Sequence, residues 1–260
     1  MADSFWKTIL TIADAPCVIE AGEVRVCLKV EEGDWFAGTI RENGDIPPAI
    51  QKNVEAFANE PEWQRIGSTR DVPELQLTPA YPDRALVVRP KVSYAVLPGE
   101  RVQFYVGVPV WIRLKGGKDL TLLTVPAYTL SNTWFGLPTD GELAYALRTR
   151  ARREGDQLDI HSLRVICPVR VRNQSKEVLK FERICIRPQF LSLFQDDSLG
   201  LWANESSMIV RSGQEVSRVA YARKAPARLN HPHRWQQGDE DVTGTQLLRA
   251  FSVGKGFFNE

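Results

Sequence analysis

Groups that assemble reaction centres are scarce in this chain, whose 260 residues hold three histidines, four cysteines and two methionines. The cysteines (Cys17, Cys27, Cys167 and Cys185) are too sparse for the disulfide framework of a small secreted domain. No run approaches the roughly 18 apolar residues of a membrane span. Asp3 precedes a short apolar stretch that Lys7 interrupts, so no signal peptide is read and a cytoplasmic location is expected. Neither Gly-x-Gly-x-x-Gly nor the P-loop pattern occurs, which removes the common phosphate cradles and makes nucleotide-driven chemistry a poor expectation. A Gly-x-Ser-x-Gly nucleophile elbow is also missing.

What the chain does have is alternation. Val24, Val26, Leu28 and Val30 share one parity, and so do Val102, Phe104, Val106 and Val108. Leu143, Tyr145 and Leu147 repeat the pattern, as do Leu163, Val165, Cys167, Val169 and Val171. Period two with polar residues between is the mark of strands that set one face on a core. Turn chemistry separates them at Glu32-Gly33-Asp34, Pro98-Gly99, Lys115-Gly116-Gly117-Lys118, Thr139-Asp140-Gly141 and Ser212-Gly213. Short strands and frequent turns predict an all-β chain of two sandwich-like, immunoglobulin-like lobes. The first lobe is expected over residues 1–136 and the second, rich in arginine, over 137–228, with a tail from 229 to 260. One helix is predicted near 47–59, where Ile50, Val54 and Phe57 fall at helical spacing behind Pro47 and Pro48. Residues 67–83, rich in Pro, Asp and Arg, read as an extended connection.

Charge is unevenly spread behind a net value of +1. Residues 141–237 hold 17 Lys and Arg against 10 Asp and Glu, and 14 of those bases are arginine. Arginine presents a planar donor fork suited to phosphate and carboxylate. Arg148, Arg150 and Arg152 share one strand face, and Arg164, Arg170 and Arg172 the polar face of the next. If those strands are neighbours, Arg148, Arg150, Arg164, Arg170 and Arg172 form one anion-binding surface for nucleic acid, phosphate or a lipid headgroup. Arginine facing arginine is repulsive, so acidic side chains are expected among them.

Other chemistries find less support. A metal-assisted hydrolase would have to use His161, or His231 and His233 with Asp239, Glu240 and Asp241, yet no third ligand has convincing spacing. A hairpin turning near Asn173–Glu177 would set Cys167 opposite Cys185, but a bulge near Glu182 turns Cys167 into the core and Cys185 away from it, which argues against a bridge. Trp111, Trp134 and Phe135 invite a carbohydrate-platform reading. Because Trp134 and Phe135 are adjacent, they point to opposite faces of a strand.

Three stretches, Val108-Pro-Val-Trp-Ile-Arg113, Leu130-Ser-Asn-Thr-Trp-Phe-Gly136 and Gly141-Glu-Leu-Ala-Tyr-Ala-Leu147, precede Leu163-Arg-Val-Ile-Cys-Pro-Val-Arg-Val-Arg-Asn173. In that order they resemble the prokaryotic family called domain of unknown function 432, over roughly residues 85–225. The resemblance implies no catalytic residue, and its one hint of context, association with mechanosensitive channels, names no site. The expectation is therefore a non-catalytic binding or regulatory module that uses no cofactor and acts through an unidentified protein partner. The alternatives are the arginine-based anion-binding module and the metal-assisted hydrolase.

Overall fold

The computed structural model describes residues 5–67, 71–90, 94–117, 120–136, 138–149, 161–181, 183–198, 200–211 and 218–239. The chain is all-β, as the alternation predicts; among the described residues the only helical pieces are three-residue 3₁₀ turns. It divides into two compact units, Met1–Tyr81 with Pro109–Thr129, and Pro82–Val108 with Leu130–Glu260. The units exchange segments along the sequence.

The first unit holds β1 (Ile9–Thr11), β2 (Cys17–Glu31), β3 (Asp34–Gln51), β4 (Gln64–Ile66) and β5 (Glu74–Ala80). After the chain returns, β9 (Trp111–Gly116) and β10 (Leu120–Pro126) follow. β2 and β3 form one long hairpin around Glu32 and Gly33, both at positive φ (52° and 88°), as a two-residue type I′ turn requires. β4 lies on the far edge of β3. The other sheet has the order β1-β5-β9-β10, and all its pairs are antiparallel. One of its faces is fully buried through Leu10, Leu75, Leu77, Ile112 and Leu114.

Two expectations fail in this unit. The helix predicted over 47–59 is absent: β3 runs on to Gln51, pairing Ile50 with Ile19 and Ala49 with Glu20. Pro47 and Pro48 fall where the β2–β3 register shifts between Glu20 and Gly22, so the missing amide hydrogens cost no regular ladder bond. Residues 67–83 are also more than a connection, since β5 is an inner strand. Its Pro79 is tolerated because the β1 ladder covers only Glu74–Gln76, with one further bond from the Leu77 amide to the Thr8 carbonyl, and stops short of Pro79.

The second unit begins with β6 (Leu86–Pro90), β7 (Tyr94–Val96) and β8 (Arg101–Pro109). It continues with β11 (Asn132–Gly136), β12 (Gly141–Thr149), β13 (Arg164–Asn173), β14 (Leu179–Phe181), β15 (Ile184–Ile186) and β16 (Leu193–Asp196). It closes with β17 (Gly200–Ala203), β18 (Ser206–Val210), β19 (Arg218–Tyr221) and β20 (His233–Gln236). The largest sheet has the order β19-β18-β13-β17-β16-β20, with β8 also against β13. Strand β13 is its centre, which explains why Ile166 and Pro168 are buried together with Val165, Cys167 and Val169. A four-stranded sheet has the order β11-β12-β6-β15, in which β12 and β6 run parallel.

The hairpin expected near Asn173–Glu177 does not form. β14 pairs with β7 and β15 with β6, so Cys167 and Cys185 lie on different sheets. Fully buried Asn173 redirects the chain: its Nδ2 donates to the carbonyls of Val96 and Glu177, both at 2.8 Å. Its Oδ1 accepts from the amide and hydroxyl of Ser175. At the end of the first expected lobe, Gly136 of β11 stands opposite Gly141 of β12.

Candidate anion-binding site

The described arginines singled out in the sequence do not come from neighbouring strands. Arg148 is on β12, in the four-stranded sheet, whereas Arg164, Arg170 and Arg172 are on β13, in the large sheet. Strands β12 and β13 are not neighbours, so the condition for a single basic face is not met. Arg150 and Arg152 lie outside the described residues. On β13, Arg170 is ion-paired with Glu205 at 2.7 Å, as the expectation of interleaved acids requires. Arg172 is exposed and stands opposite Ile209 of β18. Arg164 is half-buried, at the start of β13.

What the structure adds is Arg89. The parallel register of β12 on β6 pairs Tyr145 with Leu86 and ends by placing Arg148 directly opposite Arg89. Partners in a parallel pair project to the same face about 4.8 Å apart, so two guanidinium stems rise side by side at the ends of these strands. Both side chains are exposed, and neither bonds to or ion-pairs with another described residue. On the far side of Arg89 the row is bounded by Arg183, which immediately precedes the Ile184–Val88 pair. The same sheet face is apolar further back, where Ala85, Val87, Phe135, Ala144 and Cys185 form a small buried cluster.

A contrast elsewhere in the chain gives this pair its meaning. Glu31 and Asp34 also face each other, across the β2–β3 hairpin. There the repulsion is relieved internally: Lys29 pairs with Glu31 at 2.9 Å, and Arg65 bonds to Asp34. Other arginines are similarly satisfied, with Arg25 bridging Glu20 and Glu42 and Arg187 bonded to Glu142. Among the described residues Arg89 and Arg148 have no such carboxylate. Two like charges in register cost stability unless something neutralises them. An anion held by both forks would do so, since phosphate and carboxylate oxygens match guanidinium geometry.

The remaining candidates fall into structural roles. His161 accepts the amide of Leu163 at its Nδ1, 3.2 Å, and shapes the entry to β13. His233 lies edge-on to Trp235 with ring centroids 4.5 Å apart, while exposed His231 sits at φ 49° in a turn. No set of three His, Cys, Asp or Glu residues with metal-binding geometry occurs among the described residues, and Glu240 and Asp241 lie outside them. All four cysteines are free and buried. Cys185, expected to point away from the core, is instead part of the small apolar cluster, because β15 pairs with β6 rather than with β13. Burial raises the thiol pKa of Cys185 and of Cys17 to about 12 and that of Cys27 to about 11, and pushes Cys167 higher still. None is poised as a nucleophile. Trp134 is 48% exposed and Phe135 buried, which is the opposite-face arrangement read from their adjacency.

Arg89 was missed because its partner is a parallel strand more than fifty residues away in sequence. The only local signal was a basic residue closing an apolar run, Leu86-Val-Val-Arg89. Comparison with known proteins gives one match, a family model described as protein of unknown function (DUF432), over residues 5–253. No curated protein and no solved structure matches the chain.

Proposed function

For a chain that belongs to the DUF432 family, we propose the role of a binding module that holds a phosphate-bearing ligand on the paired arginines Arg89 and Arg148. The carrying observation is the register that sets the two cations side by side without a carboxylate among the described residues. This reading takes precedence over contact with an unidentified protein because it rests on a located charge pair rather than on missing motifs. It also takes precedence over metal-assisted hydrolysis, for which described His161 and His233 are engaged with Leu163 and Trp235.

The test is calorimetric titration of the full chain with inorganic tripolyphosphate and, separately, with a short single-stranded oligonucleotide, each at several salt concentrations. Binding is expected to weaken as salt rises, with a logarithmic slope of about −0.7 for each phosphate neutralised on the single strand. Replacing both residues (R89Q/R148Q) should lower affinity at least tenfold, while R89K/R148K should retain part of it, since lysine keeps the charge but loses the fork. Equal affinity of the glutamine variant and the parent chain for both ligands would contradict the assignment.

A further inference from the structure

The first unit carries a different cationic face. Along β9, Ile112 and Leu114 are fully buried, so Trp111, Arg113 and Lys115 project from the opposite side of the sheet β1-β5-β9-β10. The register sets each of them in a row of three. Arg113 lies between Thr78 of β5 and Thr124 of β10. Lys115 lies between Gln76 and Thr121, and Trp111 between Ala80 and Pro126. These nine positions contain two cations, an indole and three threonines, and no acidic residue.

Arg113 is half-buried, and among the described residues none bonds to its guanidinium. Removal from water lowers its pKa with no acidic neighbour to offset the effect, yet an arginine remains charged at neutral pH. A partly desolvated cation lacking a counter-charge is costly, and its planar fork offers five donors to an incoming acceptor. Thr78 is occupied: its hydroxyl donates to the Arg113 carbonyl at 3.3 Å, which fixes the backbone under the guanidinium. Residues two apart on a strand stand about 6.6 Å apart. An anionic head on Arg113 and Lys115 therefore leaves an attached ring over Trp111, where the half-buried indole and Pro126 supply apolar surface, while Ala80 is buried.

We propose that this face binds a small aromatic anion, with its carboxylate or phosphate on Arg113 and Lys115 and its ring on Trp111. The site involves neither Arg89 nor Arg148 and does not depend on the reading given for them. The test uses benzoate and phenyl phosphate as probes, with benzyl alcohol and inorganic phosphate as controls, and follows binding by ligand-observed NMR and calorimetry. At least one aromatic anion is expected to bind tenfold or more tighter than both controls. Arg113→Gln should abolish that preference, Trp111→Leu should reduce the aromatic anion to the level of inorganic phosphate, and R89Q/R148Q should leave both unchanged. Removing a half-buried charge should not weaken folding; if Arg113→Gln fails to fold, Lys115→Gln, at the more open end of the row, must still lower affinity at least threefold. The proposal is overturned if neither aromatic anion binds, if benzyl alcohol binds equally well, or if Arg113→Gln or Lys115→Gln folds and binds as the parent does.

Discussion

Asn173 shows how much one buried amide decides in this fold. It donates to carbonyls of two separate segments and accepts from Ser175 twice, so the chain leaving β13 is turned toward β7 instead of folding back on itself. Asn173→Ala is expected to destabilise the protein by about 2 kcal/mol, because buried carbonyls lose their donor. Asn173→Asp should cost more, since a carboxylate offers no N–H in return. Urea unfolding followed by fluorescence measures both. The buried thiols give a second expectation at this scale. Their pKa values are raised above the ordinary 9.0, so the folded state keeps its protons to higher pH than the unfolded state does. Stability should be unaffected by the thiols below pH 9 and fall as pH rises from there toward 11–12. Native protein should react with a thiol reagent at neutral pH only as fast as it opens.

At the scale of elements, the β2–β3 turn offers the cleanest trial. Gly33 sits at φ +88° with open space where a Cβ would go, so Gly33→Ala tests backbone conformation alone and should cost about 1 kcal/mol. Glu32, at φ 52° without glycine's freedom, should gain a few tenths of a kcal/mol on replacement by Asn, the favoured first residue of such a turn. Both changes are read from thermal unfolding. Gly136 behaves differently: an added Cβ would fall 2.6 Å from the Gly141 Cα, closing the space the β11–β12 turn needs. The hairpins were legible in the sequence because turn residues and alternating runs are local signals. β5 and the end of β3 were not, because proline reads as a breaker unless the neighbouring strand is known to stop or slip beside it. β12 misled in another way. Leu143 is exposed and Ala144 buried, so the packed face there is marked by the smaller residue.

For the whole molecule, the fold class followed from period two repeated along the chain, whereas the candidate site depended on which distant strands pair. Arg148 was picked out by its strand, but its meaning comes from Arg89 on a parallel neighbour that no local pattern specifies. The same holds for Arg170, whose charge is absorbed by Glu205 from β17–β18. Among the described residues no helix is long and apolar enough to cross a membrane. Within residues 141–237, Arg170 and Arg187 are ion-paired with Glu205 and Glu142, so the arginine count overstates the free positive charge. Under the proposed function, the Arg89–Arg148 pair trades stability for binding.

That trade is open to direct measurement by thermal unfolding of the parent chain and R89Q/R148Q with increasing tripolyphosphate. Without the anion, the variant should melt about 1–2 °C higher, because a repulsive pair has been removed. With the anion, the parent should climb and overtake it, since only the parent gains binding free energy in the folded state. A parent that melts higher from the outset, or two curves that rise in parallel, would contradict the account.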